Sequence, residues 1–345
     1  MKSFNDSFFS TVRSFLTIYL PKQKCCSPNT VKSYRMALNL LIDFLLEEKK
    51  TPIYAISFDS LNHSTISEFL EWLQTARKCT PSTCNQRLMA LRSFTKYAGI
   101  MDVSQISIQN EFKKVPYMKV ASTIVEFLSE QGLKSLLEQP DIKKPLGVRD
   151  RFFMILMYDT AARCQELLDL KLKDFELNTK NPYIYLHGKG SKTRTVPIMS
   201  KTAEHYLFYL DKLHPADTRN KEDYVFYTTI HGQKHQMSPD NVAAFMKRYG
   251  NAAKATCSDI PPHIHPHQLR HTRAIHLYRG GMPLPLLAEF LGHVNLNTTQ
   301  VYAYADTEMK RAAIQKACPQ SINAPCAVPL WENDEEMIRK LYGLL

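Results

Sequence analysis

From Ser27 to Glu48 the chain reads SPNTVKSYRMALNLLIDFLLEE, and Tyr34, Ala37, Leu38, Leu41 and Leu45 fall on one face of a 3.6-residue period. A strand cannot use that pattern, because its side chains alternate with period two. Ser27 stands where an N-cap belongs, and Pro28 takes the first helical position, where its missing N–H costs nothing. The same device recurs at TPSTCNQRLMALRSFTKYAGI, with Thr80 and Pro81 ahead of Leu88, Leu91 and Phe94. There Arg87, Arg92 and Lys96 fall on the polar side, and Gly99 is expected to end the helix. Between the two, STISEFLEWL places Ile66, Phe69, Leu70 and Leu73 at i, i+3, i+4 and i+7. Near the start, Phe4, Phe8, Phe15 and Leu16 form a further apolar stripe. These segments predict a helical bundle over roughly residues 1–108.

At 345 residues the chain suits two domains of ordinary size. Its formal charge of +11 is uneven, since residues 1–120 hold 16 Lys and Arg against 9 Asp and Glu. A basic helical bundle points to a polyanion, DNA or RNA before a membrane. Residues 109–123 lack a sustained period and carry Lys113, Lys114, Lys119 and a proline. They are expected to be a basic linker able to lie along a charged partner. Asp6 and Arg13 interrupt the opening segment, so it reads as neither a signal peptide nor a membrane span. Eight cysteines show no Cys-x-x-Cys pair, which favours reduced thiols and a cytoplasmic location.

Residues 124–345 are expected to form a second domain. It opens with helical patterns in SEQGLKSLLEQ, GVRDRFFMILMYDT and RCQELLDL. PYIYLHGKGSKTRTVPIM then alternates on both arms around a glycine-rich basic tip, a β-hairpin signal. Helices are expected from there to the end. The fold class is therefore mainly α with a small β-hairpin or sheet, a helical bundle followed by an α+β domain.

Four stretches of the second domain carry groups suited to a phosphate. In TAARCQELLDL, Arg163 opens a helix and Glu166 lies one turn on. The hairpin tip holds Lys189 and Lys192. In HPHQLRH, Pro266 suits a helix start, so His267 and Arg270 share a face near a helix N-terminus, where anions are favoured. In LLAEFLGHVNLNTTQVYAYAD, Leu284, Leu287, Ala288 and Leu291 form one apolar face, Gly292 ends the helix and His293 follows. Asn297 then caps a short helix bearing Tyr302 and Tyr304. Each element alone is ordinary: a Gly-Lys-Gly turn is commonly just solvated, and tyrosines in helices mostly pack. His263, His265, His267 and His271 also raise a metal site, but no acidic or cysteine ligand accompanies them.

In this order, arginine, hairpin lysine, His-x-x-Arg, histidine and tyrosine resemble the tyrosine recombinase family of phage-integrase type. HQLRH, LGH, TTQVYAYAD and GKGSKTRTVPI are close to that family's wording. The resemblance is detailed over the second domain and looser over the first, which is similar to the family's SAM-like core-binding domain. It implies the catalytic set Arg163, Lys189, His267, Arg270, His293 and Tyr302, with Lys192 as the alternative lysine. Glu166 matches an acidic position that holds Arg163. The family wording usually has glycine two residues before that arginine, where this chain has Ala161. Tyr304 lies about 200° further round the helix than Tyr302, so the two cannot share a site.

The residue types suit the implied chemistry. Two guanidiniums can clamp the non-bridging oxygens of an in-line phosphoryl transition state. His267 and His293 can add hydrogen bonds, with His267 also placed to take the tyrosine proton, and Lys189 can protonate the departing 5′-oxygen. The implied product is a 3′-phosphotyrosyl enzyme, formed without metal or cofactor. The implied partners are double-stranded DNA and further copies of the chain, a tetramer on two duplexes. The tail PLWENDEEMIRKLYGLL carries Met337, Ile338, Leu341 and Leu344 on a short helix, expected to dock on a neighbouring protomer or equally on its own domain. The task implied is integration, excision or transposition of a mobile element. A type IB-like topoisomerase, an inactive DNA-binding protein and a histidine metalloenzyme are the rivals.

Overall fold

The computed structural model describes residues 6–120, 125–188, 192–293, 295–305, 311 and 334–344. It divides into two compact units, Met1–Thr123 and Ile124–Leu345.

The first unit is helical. It comprises α1 (Asp6–Ser14), which continues as a π-helix over Phe15–Gln23, then α2 (Pro28–Glu47), α3 (His63–Thr75), α4 (Pro81–Met101) and α5 (Ile106–Lys114). The caps form as the sequence predicts. Ser27 Oγ accepts from the Thr30 N–H and Thr80 Oγ1 from the Thr83 N–H, each at 3.3 Å. Leu88, Leu91 and Phe94 of α4 are buried, and Phe94 meets Phe8 and Phe15 edge-on at 5.8 and 5.4 Å. That edge-to-face geometry is the one aromatic quadrupoles favour. Phe4 lies outside the described residues.

Two expectations change here. Gly99 does not end α4, which runs on to Met101. A Cβ at Gly99 would lie 3.4 Å from the Ile106 side chain, an ordinary contact, so this glycine sits against α5 inside a helix that continues past it. The segment expected to be a linker begins inside α5. Phe112 is fully buried and Val115 nearly so, and Arg92 donates from Nε to the Phe112 carbonyl at 3.0 Å. Two widely spaced apolar anchors are too few to show as a helical period, yet they suffice once α4 supplies the partner surface.

The second unit comprises α6 (Glu130–Leu137), α7 (Pro145–Thr160), α8 (Cys164–Leu168), β1 (Phe175–Glu176), β2 (Tyr183–Gly188), β3 (Lys192–Pro197), α9 (Ser200–Leu213), β4 (Tyr227–Ile230), β5 (Gln233–Gln236), α10 (Pro239–Lys254), α11 (Pro266–Arg279), α12 (Leu284–Leu291), α13 (Asn297–Ala305) and α14 (Glu335–Leu341). Helix α7 is its centre. Phe152 stacks on Tyr209 at 5.0 Å, and Phe153 meets Phe226 at 4.8 Å. The expected hairpin is β2–β3, antiparallel, with Ile184 opposite Val196 and Gly188 opposite Lys192. Its inward residues Ile184, Leu186 and Val196 are buried, as period-two alternation requires. Strand β1 adds a third, antiparallel edge.

A second hairpin, β4–β5, stands where only helices were expected. Its strand β5 is almost wholly exposed and polar, so it carries no apolar alternation. The turn gives the pairing: His231 and Gly232 both have positive φ, +48° and +77°, as a two-residue hairpin loop needs. Among the described residues no helix is long and apolar enough to cross a membrane.

Candidate active site

Two helix C-termini organise the site. Helix α7 ends at Ala161 with φ +48°, and α12 ends at Gly292 with φ +64°, both left-handed. This reversal turns the last carbonyls of each helix outward, and helix ends leave those carbonyls without intrahelical partners. Arg270, buried and on α11, takes them. Its Nη1 donates to the Ala161 carbonyl at 2.6 Å and its Nη2 to the Leu291 carbonyl at 2.7 Å. Arg163 Nη2 donates to the Gly292 carbonyl at 3.2 Å. Both guanidiniums are thus seated where the helix dipole favours a cation. Burial lowers the Arg270 pKa to about 10, with the charge of Arg163 adding to the effect, and it stays charged at neutral pH. Ala161 adopts the left-handed conformation usually given to glycine, so the departure from the family's wording leaves the turn intact.

Arg163 N-caps α8, and its backbone N–H donates to Glu166 Oε2 at 2.8 Å. Its Nη1 donates to Glu166 Oε1 at 2.7 Å. Glu166 also receives both Nη groups of Arg194, at 2.9 and 2.7 Å. Burial alone would raise this carboxyl, but hydrogen bonds from Arg194 and Arg163 reverse that and hold it at about 2. Glu166 is therefore an ionised strut joining Arg163 to strand β3. Arg194 went unnoticed in the sequence, where it is one basic residue in a basic hairpin. Its inward placement at even spacing from Val196 is the only signal that marks it.

His265 precedes α11 in extended conformation and Pro266 takes the first helical position, as expected. His267 and Arg270 then fall one turn apart. Burial lowers the His267 pKa, with Arg270, His265 and Arg163 adding to it. His293 Nε2 accepts from Arg270 Nη2 at 3.0 Å, so its proton sits on Nδ1, which donates to Thr299 Oγ1 at 2.9 Å. Burial and the two arginines hold His293 neutral, with a pKa of about 4.

Tyr302 on α13 is buried at 2% exposure among Ala161, Ala274, Ile275, Leu287 and Leu291. Its hydroxyl lies 2.9 Å from His271 Nδ1. The expected proton acceptor, His267, is not the residue that meets it. His271 sits one turn further along α11, its ring stacked 6.1 Å from that of His267. Burial raises the Tyr302 pKa, partly offset by Arg270 and Arg163.

Arg163, His267, Arg270, His293 and Tyr302 all line one cavity of about 980 Å³, which Lys192 and Arg194 also border. Lys189 lies outside the described residues, as does the side chain of Tyr304. Three guanidiniums face one buried carboxylate, with exposed Glu289 also bordering the cavity. The cavity is therefore suited to an anion. Among the described residues no group of three or more His, Cys, Asp or Glu is arranged for a metal, and the histidines of residues 263–271 divide between loop and helix.

A basic helical unit, joined in sequence to a helical unit whose cationic cavity presents a tyrosine, is the design of a tyrosine-type site-specific DNA recombinase. The comparisons agree. Residues 126–309 match the phage integrase family, and residues 12–99 match the phage integrase N-terminal SAM-like domain. The chain belongs to the phage integrase family. It is 30% identical over 307 residues to the tyrosine recombinase XerC of Bacillus pumilus, covering 88% of this chain and 94% of the relative. Its fold is similar to the Tn1549 transposon integrase in complex with transposon right end DNA, with a TM-score of 0.66, 15% identity, and coverage of 90% and 98%. It is also similar to a lambda integrase tetramer bound to a Holliday junction, with a TM-score of 0.62, 15% identity, and coverage of 88% and 76%.

Proposed function

We propose that the chain cuts and rejoins DNA through a 3′-phosphotyrosyl intermediate at Tyr302, in the integration, excision or transposition of a mobile element. The observation that carries this is the meeting of Tyr302 with Arg163, His267, Arg270 and His293 around one cavity, from three separate stretches of sequence.

Arg163 and Arg270 neutralise the non-bridging oxygens of the scissile phosphate. Their carbonyl and carboxylate anchors hold them in place before DNA arrives, so little reorganisation is needed as charge develops. His267 and His293 border the same oxygens. Attack by Tyr302 Oη displaces the 5′-oxygen, which takes a proton from Lys189 at the hairpin tip. The new ester conserves the bond energy, so a 5′-hydroxyl from a second duplex can reverse the step without ATP or metal. Exchange between two duplexes uses four active sites, hence four copies, as in the lambda integrase assembly. Helix α14 exposes Met337 and Leu341, with Leu344 exposed just beyond its end, and we assign these apolar residues to a neighbouring copy.

A nicked suicide duplex tests the proposal, its sequence obtained by covalent capture from a random library. The native chain and Tyr304→Phe form a protein–DNA adduct, and Tyr302→Phe does not. An adduct that survives Tyr302→Phe and vanishes in Tyr304→Phe overturns the assignment. Relaxation of supercoiled DNA lacking the captured site would point to a topoisomerase instead.

A further inference from the structure

We propose that His271 is a further catalytic residue, the base that accepts the Tyr302 proton during cleavage and returns it during rejoining. This rests on Tyr302 being the nucleophile. The hydroxyl and His271 Nδ1 are already in hydrogen-bond contact at 2.9 Å, within the reach a general base needs.

The arginines, the buried carboxylate and the other histidines around the cavity are unsuited to the task. Arginines only donate. Glu166 is occupied by Arg163 and Arg194. His293 already accepts from Arg270 on one nitrogen and donates to Thr299 from the other. Among the described residues His267 makes no hydrogen bond to Tyr302, and its ring lies a helical turn away, stacked on His271. The phenol needs an acceptor, because burial raises its pKa despite Arg270 and Arg163. His271 has the lone pair: burial, then the charges of His267, Arg270 and His265, hold it neutral with a pKa of about 4. We assign neutral His271 the tautomer with its proton on Nε2, which leaves Nδ1 facing Tyr302 as acceptor.

The step balances. The Oη–phosphorus bond forms as the bond from phosphorus to the 5′-oxygen breaks. The phenolic proton moves to His271 Nδ1, and the 5′-oxygen takes its proton from the hairpin lysine. In rejoining, the His271 imidazolium returns its proton to the departing tyrosine. The sequence hides this because His271 directly follows Arg270 and lies some 100° from it around the helix, on the side facing α13.

Single-turnover adduct formation on the suicide duplex between pH 6 and 9 tests the inference, using native chain, His271→Ala, His271→Asn and His267→Ala. Melting temperature and DNA affinity are measured alongside. His271→Ala is expected to be about 100-fold slower, with DNA affinity unchanged. Its residual rate should climb more steeply with pH than the native rate, and added imidazole should restore part of it. His271→Asn guards against misfolding: its amide can still meet the hydroxyl but cannot take a proton, so it should remain slow. His267→Ala should keep the native pH profile. A Tyr302-dependent adduct whose rate changes less than threefold in both His271 variants overturns the inference alone. So does a slower rate with the native pH profile and no response to imidazole, which would make His271 a packing residue. An adduct that does not depend on Tyr302 overturns the nucleophile assignment and this inference with it.

Discussion

Glu166→Gln removes the charge that joins Arg163 to Arg194 while keeping the shape of the side chain. Glu166 is 4% exposed, so solvent does little to screen it. Its carboxyl falls from the usual 4.5 to about 2. At about 1.4 kcal/mol per tenfold change in proton affinity, that is roughly 3 kcal/mol of native-state stability. Breaking a buried ion pair from one side typically costs about 3–5 kcal/mol, which agrees. The folded pKa lies below the unfolded one, so this stability is fully present above about pH 4.5. It is lost as pH falls through 2. The variant should therefore be about 3 kcal/mol less stable at pH 7, with the gap closing between pH 4.5 and 2. Urea titrations of the full chain followed by hydrogen exchange in peptides from α7, α8 and β3 read the catalytic unit separately. Adduct formation should fall at least tenfold, since Arg163 loses its seat. A gap below about 1 kcal/mol at pH 7, as for exposed ion pairs, or one unchanged at pH 3, would refute the buried strut.

Gly292→Ala forces a side chain into φ +64° and puts its Cβ 3.1 Å from the Arg194 guanidinium. It should cost about 1–2 kcal/mol in urea unfolding and slow adduct formation. Removing residues 334–345 should leave binding to a single duplex intact and abolish the four-copy assembly, read by analytical ultracentrifugation on DNA. EDTA should leave the rate of adduct formation unchanged, measured on the same suicide duplex. Raising salt from 50 to 200 mM should weaken DNA binding at least tenfold, measured by fluorescence anisotropy, because phosphate contacts release counterions.

Much of the fold was legible because its signals are local. Ser27-Pro28 and Thr80-Pro81 start helices through contacts within one turn, and Ile184, Leu186 and Val196 mark a hairpin by alternation. Strand β5 was not legible, since it is polar on nearly every side and its pairing depends on the turn at His231-Gly232 and on β4. Helix α5 was missed for a related reason: Phe112 and Val115 have meaning only against α4.

The order and spacing of arginine, lysine, His-x-x-Arg, histidine and tyrosine were set in the sequence, and so was the basic excess of the first unit. These depend on residue identity and nearby neighbours. The sequence could not say which histidine meets Tyr302, because His267 and His271 lie on adjacent turns and only the packing of α13 on α11 selects between them. It could not show Arg194 sharing Glu166 with Arg163, or Arg270 held by the ends of α7 and α12. Those contacts join residues 21 to 109 positions apart, and only the folded chain brings their donors and acceptors within hydrogen-bond range.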